Sequence, residues 1–120
     1  MNGLLLSDDL IFISRITGIA KHLGYQVSSV RNMSQLVERS RENKPACILI
    51  DLANPGLDLG KLISQLQETL SPMPRLVAYG SHVDASGLRA ARELGCDPVL
   101  PRSRFVEDLP VELPGWFQGR

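Results

Sequence analysis

Short apolar runs alternate along this chain with longer segments whose apolar residues recur every three or four positions. The short runs predict strands at residues 3–7, 25–30, 46–51, 75–79 and 99–100. The helical spacing predicts helices at residues 12–23, 32–43, 58–70, 84–94 and 103–109. In the first helix, the apolar stripe is Phe12, Ile16 and Leu23, and Gly24 ends it as a residue after a helix commonly does. The pattern therefore predicts five successive strand–helix units.

The last predicted helix is short because Pro110 and Pro114 interrupt it. Residues 109–120 then form an apolar tail that contains Trp116 and Phe117. Two interpretations stay open: the tail folds back onto the core, or it docks on a partner. The sequence leaves the isomer of the Leu100–Pro101 bond undetermined.

Alternating strands and helices of these lengths predict an α/β fold with one parallel sheet and helices on both faces. For five strands, the standard doubly wound order is 2-1-3-4-5, as in flavodoxin-like folds. The 120 residues suffice for a single domain, residues 1–120, with one core.

The amino-acid composition argues against several classes of protein. Hydrophobic residues make up 43% and charged residues 22%, and 13 basic residues balance 13 acidic ones. This balance argues against direct nucleic-acid binding, and no apolar run is long enough to span a bilayer. The start resembles no signal peptide, so we expect a cytoplasmic protein. Cys47 and Cys96 form no C-x-x-C pair; Cys47 is expected to be buried and Cys96 partly exposed.

Acidic residues follow the first and third predicted strands. Asp8 and Asp9 follow the first, and Asp51 ends the third. Ligands bind doubly wound sheets where these two strand ends meet, so we expect the three carboxylates to lie together. Like charges held close oppose folding, and oxygen ligands at an open edge suit Mg²⁺. A bound Mg²⁺ would let a phosphoryl group approach Asp51.

Other chemistries have weaker support. Capping of the first helix accounts for one of Asp8 and Asp9, but not for Asp51. The sequence has no glycine-rich phosphate loop and no nucleophile–histidine pattern, and His22 and His82 are expected at the surface. An enzymatic or ligand-binding domain on the same fold is therefore the least favoured hypothesis.

Several segments resemble the receiver domain of bacterial response regulators (CheY-like). They are Leu4-Leu5-Leu6-Ser7-Asp8-Asp9, Gly24-Tyr25-Gln26-Val27, Asp51-Leu52-Ala53-Asn54-Pro55-Gly56-Leu57-Asp58, Ala78-Tyr79-Gly80 and Glu93-Leu94-Gly95-Cys96-Asp97. The resemblance implies that Asp51 accepts a phosphoryl group from a histidine kinase or phosphotransfer protein. It also implies that Asp8, Asp9, Asp51 and the Ala53 backbone carbonyl hold Mg²⁺.

The chain departs from that family at three positions. The family's switch hydroxyl falls on Val77, and its switch aromatic falls on Val99. At the position of the family's lysine this chain has Arg102, and Pro101 precedes it. The guanidinium group of Arg102 keeps the positive charge, but it is planar, unlike the compact ammonium group of lysine.

Two functional hypotheses follow. The first is a stand-alone receiver that accepts a phosphoryl group on Asp51, with Arg102 in the lysine role, and signals through a downstream protein, since 120 residues leave no room for an output domain. The second is a pseudo-receiver that binds its partner without phosphorylation, because the switch pair is altered. In neither is the protein an enzyme beyond its own phosphorylation and dephosphorylation.

Overall fold

Five parallel strands form one sheet, and a helix follows each strand. The computed structural model describes residues 1–118. The strands are β1 (Asn2–Leu6), β2 (Gln26–Val30), β3 (Cys47–Asp51), β4 (Arg75–Gly80) and β5 (Val99–Pro101). The helices are α1 (Leu10–His22), α2 (Met33–Asn43), α3 (Leu59–Thr69), α4 (Ala85–Glu93) and α5 (Arg102–Phe117). The strand order is β2-β1-β3-β4-β5, so the predicted doubly wound fold is confirmed.

Each face of the sheet is covered by its own helices. The face that carries Leu4, Ile48 and Ile50 packs against α2, α3 and α4. The opposite face carries Leu5 and Leu49 and packs against α1 and α5. All five residues of β3 are buried, as expected of a strand covered on both sides.

Helix α5 is longer than predicted. It runs from Arg102 to Phe117 and includes both prolines, so the prediction of a shortened last helix is wrong. Its buried residues continue the helical stripe on both sides of Pro110; they are Phe105, Leu109, Leu113, Trp116 and Phe117. Burial of this stripe outweighs the lost backbone hydrogen bonds, since each large side chain gains roughly 1.5–3 kcal/mol on burial. The predicted tail is thus mostly helix packed on the core, and its residues 119 and 120 lie outside the described residues.

Three local expectations have clear outcomes. Cis peptide bonds precede Pro72 and Pro98, and the Leu100–Pro101 bond is not among them. Both cysteines are free and buried, so the expectation that Cys96 is partly exposed is wrong. Within residues 1–118, no helix combines the length and apolar character needed to cross a membrane.

Candidate functional site

Asp51 lies at the carboxyl end of β3, near the middle of the sheet edge. Its exposed fraction is only 3%. In the parallel register, Leu6 of β1 pairs with Ile50, which brings Ser7 beside Asp51. On the other side, Tyr79 of β4 pairs directly with Asp51. The immediate neighbours of this carboxylate across the sheet are therefore two hydroxyl-bearing residues.

Protein donors satisfy both carboxylate oxygens of Asp51. The Ser7 hydroxyl donates to Oδ2 over 2.8 Å, and the Ala53 backbone N–H donates to Oδ1 over 2.9 Å. The Arg102 Nη2 atom lies 3.7 Å from Oδ1, close enough for an ion pair but beyond ordinary hydrogen-bond length. A buried carboxylate needs this kind of compensation, because removal from water without partners is costly.

Asp8 and Asp9 lie on the adjoining loop and are exposed. Asp9 is the N-cap of α1, and its Oδ1 accepts a hydrogen bond of 3.1 Å from the Phe12 backbone N–H. The capping role considered from the sequence is therefore confirmed for Asp9. Among residues 1–118, no three acidic, histidine or cysteine side chains form a group that could hold a metal ion. The Asp9 backbone N–H donates to the Ser7 hydroxyl over 3.2 Å, and Ser7 in turn donates to Asp51, so the start of α1 lies beside the site. The convergence of the three carboxylates stays a prediction.

Three protein groups already lie around the Asp51 carboxylate. Both of its oxygens accept protein hydrogen bonds, and a guanidinium already lies 3.7 Å from Oδ1. Mg²⁺ usually keeps several waters and needs space for its octahedral shell. A cation at Asp51 would share the carboxylate with these donors and would lie close to the positive charge of Arg102. The Mg²⁺ set predicted from the sequence, which includes the Ala53 carbonyl, stays a prediction.

The strand register shows which residues of β4 lie near Asp51. Val77 is fully buried and pairs with Leu49, two residues before Asp51 along β3. Tyr79 is the β4 residue that lies beside Asp51. Val77 thus lies two residues before the β4 position that pairs with Asp51, and its assignment to the family's switch hydroxyl stays a prediction. The residue that does pair with Asp51 carries a phenol hydroxyl on a bulky ring.

The Tyr79 ring fills the space between the site and the core. It stacks on Phe105 with 4.5 Å between ring centroids, and Phe12 lies 5.0 Å away. The residue is fully buried, and its hydroxyl has no hydrogen-bond partner. Burial and the nearby Asp51 charge raise the pKa of Tyr79, although the Ser7 hydroxyl close by lowers it in part. The phenol is therefore held neutral, within reach of Ser7 but outside hydrogen-bond geometry.

Arg102 covers the open side of Asp51. Its guanidinium carbon lies 5.7 Å from the centroid of the Phe12 ring, a cation–π distance. The Nε atom of Arg102 is buried and has no hydrogen-bond partner. As expected from the sequence, Arg102 brings a positive charge to the carboxylate. Val99 is 4% exposed and packs in the core without a ring that could reorient.

The loop after β3 holds the Asp51 backbone in place. The Asn54 N–H donates to the Asp51 carbonyl over 3.0 Å, and its side-chain amide donates to the Arg31 carbonyl over 3.0 Å. Gly56 has a φ of 76°, a conformation that favours glycine. Asp58 then caps α3 through the Lys61 N–H. The segment that carried the most specific resemblance thus forms a rigid turn beside the site.

Sequence reasoning missed Ser7 and Tyr79 as site residues. Both carry signals that point to the site once the strands are aligned. Ser7 is the first polar residue after the apolar run Leu4-Leu5-Leu6, and Tyr79 is the polar-tipped residue near the end of β4. The strand ends were predicted within one residue, yet the pairing register decides which side chains face Asp51.

Comparisons with known proteins point to one fold. No protein-family model matches the sequence, and no curated protein sequence matches it. Solved structures do match. The beryllofluoride-activated NtrC4 receiver domain dimer has a TM-score of 0.84 at 19% identity, covering 98% of this chain and 96% of that one.

Two further structures give the same result. The NtrX receiver domain from Brucella abortus has a TM-score of 0.84 at 14% identity, covering 98% of this chain and 99% of that one. A putative response regulator from Chloroflexus aurantiacus has a TM-score of 0.82 at 18% identity, with coverages of 98% and 97%. The chain has the fold of response-regulator receiver domains.

Proposed function

We propose that this chain is a signalling module on the receiver fold that binds a protein partner without phosphorylation of Asp51. One observation carries the proposal: Asp51 is 3% exposed, and Ser7 and Ala53 already donate to its two oxygens. A phosphoryl donor has to reach one of these oxygens in line, with room for its own charged oxygens. Each oxygen already accepts one protein hydrogen bond, and the side chain is almost wholly buried, which leaves little room for such a donor.

The altered switch positions support the same function. A phosphorylation switch needs a bistable element that the new charge can bias. The Tyr79 ring is buried and packs on two aromatic rings with centroids at 4.5 and 5.0 Å, and Val99 has no ring to move. A module with a fixed conformation would present one constant surface to its partner. A cytoplasmic location belongs to this proposal, since the partners of receiver-type modules act there.

Phosphoryl transfer to Asp51 is the second candidate, and Arg102 is the observation that favours it. Its guanidinium lies 3.7 Å from Asp51, and Asp8 and Asp9 are exposed on the loop after β1. A histidine kinase or phosphotransfer protein would be the donor, and Arg102 would neutralise the charge that develops on the phosphoryl oxygens. In this candidate the Ser7 hydroxyl and the Tyr79 ring, which both lie beside Asp51, adjust to the incoming phosphoryl group.

Backbone amide spectra with Mg²⁺ and beryllofluoride separate the two candidates. If the first candidate is right, the amide signals of Asp51 and Ala53 in the wild type do not shift when Mg²⁺ and beryllofluoride are added. The spectrum of Asp51→Asn likewise does not change on this addition. If phosphoryl transfer is right, the amide signals of Asp51 and Ala53 shift at saturating beryllofluoride. The Asp51→Asn substitution then abolishes this shift. A double variant, Ser7→Asp with Tyr79→Thr, tests whether these two residues close the site. We expect beryllofluoride-dependent shifts in it even where the wild type shows none.

A further inference from the structure

The two edges of the sheet differ in how they are protected from further strand pairing. β5 has only 3 residues and ends at Pro101, and short strands and prolines are common ways of blocking a sheet edge. β2, at the other edge, is Gln26-Val27-Ser28-Ser29-Val30, which contains neither a charged residue nor a proline. An uncharged edge strand of this kind is open to pairing with another strand.

Alternate residues of β2 direct their backbone groups to this open edge. The N–H of Gln26 and the carbonyl of Val30 bond to the β1 side of the sheet over 3.2 and 3.1 Å. Because these groups alternate in direction along a strand, the N–H and C=O groups of Val27 and Ser29 point away from β1. Within residues 1–118, β1 is the only strand that pairs with β2. The outward groups of Val27 and Ser29 therefore have no strand partner.

Clefts flank this edge on both faces of the sheet, where the alternating side chains of a further strand would lie. The cleft on the α1 side has a volume of about 1170 Å³, and Ser14 and Gly18 are among its lining residues. Gly18 is exposed, and a Cβ at this position would meet no neighbouring atom within 4 Å. The cleft on the α2 side has a volume of about 470 Å³ and includes Ser29 and Val30 of β2. Neither helix therefore covers the edge of β2.

The cleft on the α2 side carries both signs of charge. Its charged lining residues are Arg31, Glu38, Arg39 and Glu42, and all of them are exposed. Glu38 also pairs with Arg41 on the same helix over 2.9 Å. Because the two arginines and two glutamates of the lining balance, a strongly charged partner gains nothing from this surface. The same surface can complement itself across a two-fold axis, which favours a second copy of this chain as the occupant.

We propose that two copies of this chain pair antiparallel through β2 and form one continuous sheet. In this dimer, Val27 of one copy exchanges backbone hydrogen bonds with Ser29 of the other, and the two-fold axis passes beside Ser28. The two α2 helices then lie on the same face of the joined sheet and run antiparallel, so that Arg39 of each copy faces Glu42 of the other. The proposal goes beyond the proposed function and does not depend on Asp51.

Sedimentation equilibrium of the full chain measures the dimer directly. A few backbone hydrogen bonds and a small interface predict weak association, with a Kd of about 0.1 mM. Ser29→Lys places a charge on the open edge and should weaken dimerisation at least about tenfold. Ser64→Lys adds the same charge at an exposed position of α3 and should leave the Kd unchanged. An unchanged urea midpoint for both variants shows that folding is intact.

Charge reversal on α2 tests the same dimer with β2 left intact. Arg39→Glu and Glu42→Arg alone should each weaken dimerisation about three- to tenfold, because each sets like charges against each other across the axis. The double variant exchanges the two charges and should regain the wild-type Kd. A double variant as weak as the single ones would contradict the antiparallel arrangement of α2.

Amide hydrogen exchange locates the interface. As the protein concentration rises, exchange should slow at the amides of Val27 and Ser29, whereas the Ser28 amide, which faces β1, should not change. Equal Kd values for Ser29→Lys and Ser64→Lys, or exchange at Val27 and Ser29 that does not depend on concentration, would overturn the proposal. A chain that stays monomeric at about 1 mM would also overturn it and would leave the edge to a segment of another protein.

Discussion

Removal of the Tyr79 hydroxyl should stabilise the protein. This hydroxyl is buried without a hydrogen-bond partner, whereas the ring makes two aromatic contacts that phenylalanine keeps. A buried hydroxyl left unpaired costs about 1–3 kcal/mol. We take the lower end, about 1 kcal/mol, because the nearby Ser7 hydroxyl compensates in part. Tyr79→Phe should therefore raise the free energy of unfolding by about 1 kcal/mol.

Urea denaturation measures this change directly, and thermal melting gives an independent reading. For 120 residues, the entropy of unfolding is about 0.25 kcal/mol/K, so 1 kcal/mol corresponds to a rise in Tm of about 4 °C. Tyr25→Phe is the matched control. Tyr25 is half-buried, and its ring packs on Phe117 with 4.6 Å between centroids. We expect this variant to change stability by less than about 0.5 kcal/mol.

A loss of about 1 kcal/mol or more in Tyr79→Phe, with Tyr25→Phe unchanged, would refute the reasoning. It would mean that the Tyr79 hydroxyl donates a hydrogen bond in solution, and the closed site described above would need another arrangement.

Four further predictions concern the rest of the site and the fold. Ser7→Ala should lower the free energy of unfolding by about 1–3 kcal/mol, because it leaves a buried carboxylate oxygen unpaired, while Ser29→Ala on the exposed side of β2 should have little effect in the same urea assay. Pro110→Ala should raise the urea midpoint, since alanine restores an N–H inside α5; a lower midpoint would show that α5 is not continuous. Burial raises the pKa of Cys47 to about 12 and of Cys96 to about 11, so both thiols should stay unlabelled by a disulfide reagent at pH 8 until guanidinium unfolds the chain. Because the folded thiols have raised pKa values, their contribution to the free energy of unfolding is constant below the unfolded thiol pKa of about 8.5. The free energy of unfolding falls as the pH rises from there towards about 11. Urea midpoints measured across that pH range would detect the fall.

The sequence predicted the element order and the sheet topology well, because both depend on local patterns. Five apolar runs and five helical stripes are enough to imply a parallel doubly wound sheet. The position of Asp51 at the end of a strand followed from the same reasoning. These features do not depend on how individual side chains pack.

The site itself could be predicted only in part. Asp51 and Arg102 were identified, but Ser7 and Tyr79 were not, because their proximity to Asp51 depends on strand register. On β4, Tyr79 pairs with Asp51, whereas Val77 lies two residues earlier and pairs with Leu49. Single-sequence patterns place strand ends within a few residues, and that margin is too wide for a site of this size.

The length of α5 was predicted wrongly for a different reason. A local rule, that proline ends a helix, is overridden here by tertiary packing. Pro110 and Pro114 each remove a backbone hydrogen bond, and on propensity alone they end the helix. The spacing of Phe105, Leu109 and Leu113 nevertheless continues across Pro110, and all three are fully buried. The apolar stripe was the better guide here, since burial contributes more than the lost bonds cost.

The accessibility of Asp51 to a phosphoryl donor is the most direct test of the account. Wild-type protein is incubated with Mg²⁺ and phosphoramidate, and its intact mass is recorded over time beside that of Asp51→Asn. The account predicts that both proteins keep their original mass. Gain of one phosphoryl group by the wild type, absent from Asp51→Asn, would contradict it and establish Asp51 as a phosphoryl acceptor.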